Sequence, residues 1–167
     1  SYPFHPGLIH IFEHRWASNH DFQRTRGVLQ LLGSIVGDLW KRRDALNGSG
    51  LIHTSHINFR NLDALSTKLT SLSGNGYSAV LSADVSGPTA NAYKIDEEIT
   101  EHGQFNLSQG VASTLMLASF GGDGANKGLS VKELKQYVLP CGSANHNQIN
   151  AVLNALEGRA HYLHYST

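Results

Sequence analysis

The chain has 167 residues, of which 40% are hydrophobic, enough for one well-buried core or two small ones. Thirteen basic residues balance thirteen acidic ones, so no overall field attracts nucleic acid or an anionic membrane. Cys141 is the only cysteine, which excludes an intrachain disulfide and suits a reducing compartment. No apolar run is as long as a membrane span and no signal-peptide pattern opens the chain, so we expect a cytoplasmic protein without a membrane partner.

The first predicted helix contains the string His10-Ile-Phe-Glu-His14. This is the H-x-x-E-H order of inverted zinc peptidases, in which the two histidines bind zinc and the glutamate, here Glu13, activates water. A helix places His10 and His14 on one face, and Glu97 or Glu98 is the candidate third ligand. The interpretation that we favour is that both histidines are solvated side chains on a helix face.

The most informative stretch is a long amphipathic helix with two arginines near its start. Arg26 lies off the apolar face, on a stripe with Gly33 and Gly37. If Thr25 is the N-cap, Arg26 stands in the first turn, where free N–H groups and the helix dipole favour an anion such as a nucleotide phosphate. Arg24 is the alternative, because a shift of one residue in the helix start changes which arginine points at the phosphate. The face predicted to be buried consists of Val28, Leu31, Leu32, Ile35, Val36, Leu39 and Trp40.

Arg26-Gly-Val-Leu-Gln-Leu-Leu32 resembles the Arg-x-apolar-Leu-x-Leu-Leu pattern of the helical lid in AAA-plus ATPases of the origin-recognition type. In that lid the arginine is the second-sensor residue, which touches the nucleotide phosphates. The chain also resembles large prokaryotic P-loop ATPases known only as a domain of unknown function, a group that includes ATPases of phage-exclusion systems. That likeness is carried by Tyr2-Pro-Phe-His-Pro6, Arg15-Trp16, Phe22-Gln-Arg-Thr-Arg-Gly-Val-Leu29 and Asp38-Leu39.

The resemblance implies that this chain is a non-catalytic part of a larger ATPase. Arg26, or Arg24 in its place, would contact the nucleotide, while ATP and magnesium would belong to the parent protein and no cofactor to this chain. Its partner would be the upstream ATPase core of the same chain, with a second copy and nucleic acid left open as further partners. The glycine-rich residues 121–128 are not a phosphate loop, because the lysine position is lost.

The remaining sequence is also predicted to be mainly helical. Residues 1–76 form the lid-like region, and residues 77–106 form a connector in which we assign 79–85 to a helix, although a buried strand also fits. Residues 107–167 read as a winged-helix-like unit: a buried helix over 111–120, a second helix over 131–139, a third over 145–157 and a strand over 161–165. The second strand of the wing would lie beyond this chain.

Two further signals refine that last unit. Ser130 and Glu133 have the spacing of a capping box at the start of its second helix, and Gly158 is the expected stop of its third. The third helix carries polar side chains that can read base edges, with only Arg159 nearby to hold a phosphate. A winged-helix nucleic-acid-binding module is therefore a second functional hypothesis. The polar side chains are those of Asn147, Gln148, Asn150 and Asn154.

Overall fold

The computed structural model describes residues 2–16, 26–43, 50–62, 67, 75–99, 106–120, 128–138 and 145–162. Within these ranges the chain forms seven α-helices and no β-strand, so the predicted mainly α fold is confirmed. None of the helices in these ranges is both long enough and apolar enough to cross a membrane. The helices are α1 (Pro6–Ile11), α2 (Arg26–Lys41), α3 (Asn75–Val80), α4 (Asn91–Glu98), α5 (Leu107–Ser119), α6 (Val131–Val138) and α7 (His146–Arg159).

Short segments with other helical geometry extend or connect these elements. Helix α1 continues into a π-helical turn, Phe12–Trp16, and α3 continues into another, Leu81–Val85. The second of these confirms the helix assigned to residues 79–85. Two 3₁₀ turns, Thr54–His56 and Phe59–Asn61, lie between α2 and α3.

The N-terminal segment pairs with the residues that precede the first 3₁₀ turn. The His5 N–H donates to the Ile52 carbonyl at 2.9 Å, and the Ile52 N–H donates to the Pro3 carbonyl at 2.7 Å. Phe4 and Ile52 thereby form one parallel β-bridge. This pairing brings the imidazole rings of His5 and His53 together.

Helix α5 lies at the centre of the fold. Most of its thirteen residues are buried, and it packs against the turn Thr54–His56 and against α4, α6 and α7. A helix that is apolar on nearly every side is typical of such a central position. The predicted buried helix over 111–120 is thus confirmed, with a start four residues earlier. Gly110 is needed for the packing, because a Cβ there would lie 2.8 Å from Cβ of Ser55.

Two buried polar groups fix neighbours of α5. The carboxylate of Asp96 accepts hydrogen bonds from the N–H groups of Ser108 at 2.8 Å and Gln109 at 3.1 Å, which have no partner within the first turn of α5. The indole N–H of Trp16 donates to the carbonyl oxygen of Leu117 at 2.9 Å. Helix α4 and the π-helical turn after α1 are therefore both anchored to α5.

Helix α2 buries a narrower face than the sequence predicts. Leu31, Ile35 and Leu39, spaced four residues apart, are at most 5% exposed. Val36 and Trp40 were assigned to the same face, but they are 40% and 69% exposed, so that part of the prediction is wrong. The core covers only one stripe of the helix, and a regular spacing of apolar residues cannot show how wide the covered stripe is.

The last two helices begin as predicted, and α7 ends differently. Ser130 and Glu133 form the capping box before α6: the Glu133 N–H donates to Oγ of Ser130 at 3.3 Å, and the Ser130 N–H donates to Glu133 at 2.9 Å. Asn145 forms a second capping box before α7. Gly158 does not stop α7, which continues to Arg159.

Buried Asp84 explains where α7 ends. The Ala160 N–H still donates to the Leu156 carbonyl, and the N–H groups of His161 and Tyr162 then donate to the Asp84 carboxylate at 3.1 Å and 2.7 Å. The Asn91 side chain donates both to Asp84 and to the carbonyl oxygen of Arg159, each at 2.9 Å. His161 and Tyr162 form a bend instead of the predicted strand, and the rest of that predicted strand lies outside the described residues.

Candidate functional site

Helix α2 carries the arginine that the sequence predicts to contact a nucleotide. Arg26 is the first residue of this 16-residue helix in the described part of the chain. The first turn of a helix is where unpaired N–H groups and the helix dipole favour an anion. The side chain of Arg26 and the whole of Arg24 lie outside the described residues, so their contact with a phosphate stays a prediction.

The opposite end of α2 is held by Arg42. The Arg42 guanidinium donates to the Asp38 carboxylate, one turn earlier, at 2.7 Å, and it also donates to the carbonyl oxygen of His56. Asp38 is mostly buried, and a charge-assisted hydrogen bond in such a place is stronger than one between exposed side chains. The C-terminal end of α2 is thus tied to the 3₁₀ turn Thr54–His56.

The same region contains three histidines in contact, which we call the histidine cluster: His5, His53 and His56. The His5 and His53 rings stack with centroids 4.3 Å apart and planes at 20°. The His56 ring meets His53 edge-on, with centroids 5.5 Å apart. The cluster joins the N-terminal segment to the turn that Arg42 holds.

Hydrogen bonds assign the protons of these rings. Nδ1 of His5 accepts from the Gly7 N–H, and Nδ1 of His56 accepts from the His53 N–H, each at 3.1 Å. A ring nitrogen that accepts a hydrogen bond carries no proton, so each of these two rings is neutral and protonated on Nε2. Nδ1 of His53 lies 3.3 Å from the carbonyl oxygen of Tyr137, which can only accept, so a hydrogen bond there requires a proton on Nδ1 of His53.

The surroundings keep the cluster uncharged at neutral pH. Burial is the main cause that lowers the pKa of His56 to about 4, and the neighbouring His53 and Arg42 lower it further. Burial and the adjacent His5 lower the pKa of His53, although its bond to the Tyr137 carbonyl acts in the opposite direction. Burial also lowers the pKa of His5. The cluster is therefore a set of uncharged contacts between α2, the N-terminal segment and α6.

The H-x-x-E-H string lies beside an open cleft of about 380 Å³. His10 and His14 share a helix face as predicted, with ring centroids 4.3 Å apart in an edge-on contact. The hydroxyl group of Tyr137 lies 3.2 Å from Nδ1 of His10, so that ring nitrogen already has a protein partner. The cleft is lined by Pro6, Gly7, Ile9, His10, Glu13 and Tyr137.

The structure offers no third zinc ligand for this string within the described ranges. No group of three or more His, Cys, Asp or Glu side chains there has a geometry that could hold a metal ion. Of the two candidate ligands, Glu98 forms an ion pair with Arg159 at 2.6 Å. Glu97 interacts with the Tyr93 hydroxyl, and this contact raises the pKa of Tyr93.

The polar face of α7 is only partly available for reading nucleic acid. Asn147, Asn150 and Asn154 are exposed. Gln148, however, belongs to the capping box, because its side-chain oxygen accepts the Asn145 N–H at 2.8 Å. Arg159, the one cation predicted to hold a phosphate, is paired with a glutamate as described above.

Sequence reasoning missed the histidine cluster and its link to Tyr137. Periodicity relates residues a few positions apart, whereas the Nδ1 group of His53 and the Tyr137 carbonyl meet across 84 positions. The local signal available was the His53-Thr-Ser-His56 string. That string places two rings within one turn, but it does not identify the third ring or the carbonyl group that orders them.

Comparisons with known proteins give one family. The family model described as DUF499 second domain matches residues 1–165, nearly the whole chain. No curated protein and no solved structure matches the chain. The resemblance to a domain of unknown function is thus confirmed at the level of the family. The chain belongs to the DUF499 second-domain family.

Proposed function

We propose that this domain is the helical lid beside a nucleotide-hydrolysing domain of the same polypeptide, and that Arg26 contacts the nucleotide phosphates. The observation that carries this proposal is that Arg26 lies on helix α2 and opens its Arg-x-apolar-Leu-x-Leu-Leu pattern. There a guanidinium group and the helix N-terminus would bind one anion together. The family description, a second domain, supports a neighbour in the same polypeptide.

The way α2 is held also suits this role. The Leu31, Ile35 and Leu39 stripe packs into the core, and Arg42 fixes the opposite end, so the first turn is presented on a supported helix. A charge that stabilises a transferring phosphoryl group must be held in place before the reaction. In this proposal the domain supplies that charge, and ATP, magnesium and the phosphate loop belong to the neighbouring domain.

The test is ATP hydrolysis by an intact DUF499 protein that contains this domain. Arg26→Ala should lower turnover by about 10²–10³-fold, because the interaction acts mainly in the transition state. Lys132→Ala, at an exposed position of α6, is the control and should leave turnover unchanged. Arg24→Ala shows whether the neighbouring arginine takes the role instead.

Melting temperatures of the same variants separate function from folding. Arg26 lies off the buried stripe by helical register, so its loss should not lower the melting temperature. The proposal fails if the intact protein hydrolyses no ATP, if Arg26→Ala and Arg24→Ala both leave turnover unchanged, or if Arg26→Ala unfolds the domain.

Two other functions suggested by the sequence can be tested on the same protein. Stoichiometric zinc, lost in His10→Ala, would favour the peptidase reading. A salt-dependent shift of duplex DNA, weakened by Arg159→Ala, would favour the nucleic-acid-binding module. No contact among the described residues favours either function, so we propose neither.

A further inference from the structure

Helix α2 has a second apolar face that the described core does not cover. Leu29, Val36 and Trp40 are 64%, 40% and 69% exposed, and their spacing of seven and then four residues places them along one line of the helix. Gly33 and Gly37 lie in the same strip, and a Cβ on either would lie more than 4 Å from every described atom beyond the adjacent residues and the backbone of α2. We call these five residues the exposed stripe.

The composition of this strip distinguishes it from an ordinary surface. One exposed apolar side chain needs no explanation, but three large ones aligned along a single helix are a feature that marks an interaction site. The Arg43 guanidinium carbon lies 5.1 Å from the centroid of the Trp40 ring. Tryptophan and arginine are the residue types that most often dominate binding energy at interfaces.

Charge indicates which kind of partner fits. Residues 26–43 contain four basic side chains and one acidic side chain, Asp38, which is bound by Arg42 at 2.7 Å. Among the described side chains on α2 and directly after it, the exposed charges are those of Lys41 and Arg43, both cationic and both at one end of the stripe. Two copies of this face would bring like charges together, whereas an apolar helix bordered by Asp and Glu would be complementary.

We propose that the exposed stripe is the docking surface for an apolar, acid-bordered helix of a neighbouring domain in the same polypeptide. Gly33 and Gly37 would let that helix approach the α2 backbone closely, and Leu29 and Trp40 would pack on either side of the approach. The family description, a second domain, supplies a neighbour within the same chain. This docking requires no bound nucleotide and does not depend on the proposed role of Arg26.

Site-specific photo-cross-linking in the intact protein tests the proposal. Trp40 is replaced by p-benzoylphenylalanine, the protein is irradiated without nucleotide, and the cross-linked peptides are identified by mass spectrometry. The expected product joins position 40 to one apolar peptide, rich in Asp and Glu, from another domain of the same polypeptide. The same photoreactive residue at Tyr162, an aromatic position that is 51% exposed outside the stripe, should not capture that peptide.

Two charge reversals test the predicted border. Arg43→Glu should reduce the cross-linking yield from position 40 several-fold, because it places a carboxylate opposite the partner's carboxylates. Lys132→Glu, a matched reversal at an exposed position of α6, should leave the yield unchanged. Melting temperatures of both variants should match that of the parent protein, which shows that the yield reports docking and not unfolding.

Several results would overturn the proposal. One is a cross-link to another partner: this domain itself, the same face of a second copy, nucleic acid or lipid. The others are the absence of any cross-link and a cross-linking yield that Arg43→Glu leaves unchanged. Hydrolysis by the Arg26→Ala variant is a separate measurement. If Arg26→Ala lowers hydrolysis, the cross-link from position 40 should still form. If that cross-link is absent, the result of the hydrolysis measurement is not affected.

Discussion

The imidazole ring of His5 stacks on that of His53, with centroids 4.3 Å apart and planes at 20°. Two imidazolium ions at this distance would repel each other, so the stack requires that at least one ring is neutral. His56 adds a second constraint, because a proton on its Nδ1 would break the hydrogen bond from the His53 N–H. The contact between the N-terminal segment and the rest of the fold therefore depends on uncharged histidines.

We expect the free energy of unfolding to fall as the pH falls from about 6.5 to about 4. The ordinary pKa of histidine is 6.5, and the pKa of His56 is about 4 in the folded protein. Between these values the unfolded chain binds a proton that the folded chain does not, so acid favours unfolding. His56 should account for at most about 3 kcal/mol of the loss, none of it above pH 6.5. Denaturant unfolding at a series of pH values measures this loss.

The matched variant for that experiment is His56→Asn. Its side-chain oxygen can still accept the His53 N–H, but it does not titrate. The free energy of unfolding should then depend less steeply on pH between 6.5 and 4. An unchanged slope would show that His56 is not the group responsible.

Adjacent residues on α2 should differ sharply in their contribution to stability. Ile35 is fully buried, so Ile35→Ala should lower the free energy of unfolding by about 2–5 kcal/mol through lost burial and a cavity. Val36 is 40% exposed, and Val36→Ala should cost less than about 1 kcal/mol. Denaturant unfolding of both variants gives the comparison. Equal losses would contradict the placement of Val36 on the exposed stripe.

The same substitution should have opposite effects at two helical glycines. At Gly110 a Cβ would press on Ser55 at 2.8 Å, so Gly110→Ala should destabilise the domain by about 1–3 kcal/mol. At Gly33 a Cβ would have open space among the described residues, and Gly33→Ala should stabilise α2 by up to about 1 kcal/mol because alanine favours helix. Thermal melting of the isolated domain distinguishes the two. Stabilisation by Gly110→Ala would contradict the close approach.

Asp84→Asn should loosen the end of α7. The amide has one acceptor oxygen, so its NH₂ group would face an N–H donor of His161 or Tyr162, at a cost of about 1–3 kcal/mol. Hydrogen exchange over residues 156–162 should quicken. Glu157→Gln, an exposed change on the same helix, should not affect it. Unchanged exchange in Asp84→Asn would show that the carboxylate does not hold the end of α7.

Local sequence signals predicted the parts of this fold that local physics controls. The capping box of Ser130 and Glu133 needs only residues three apart, and the structure contains it. The predicted helix over 79–85 is also present in the structure, although the π geometry of Leu81–Val85 was not predicted. Such features depend on side chains and backbone groups within one turn of each other.

The sequence could not show which surfaces meet. Trp40 has the spacing of a core residue, and only the neighbouring elements decide that Leu39 is buried and Trp40 is not. Likewise, no pattern pairs the N–H of His161 with Asp84, because the alternation of 161–165 equally suits a strand. Buried carboxylates and stacked histidines depend on contacts between distant segments, which periodicity does not encode.

The Asp84 contact joins two segments that a ribosome synthesises at different times. The N–H of His161 lies 77 positions after this carboxylate, so a ribosome adding about 5–20 residues per second needs roughly 4–15 s between them. Throughout that interval the Asp84 carboxylate, which is buried in the folded domain, lacks the N–H donors of His161 and Tyr162. We therefore expect Leu81–Val85 to reach its native packing only after α7 has left the ribosome.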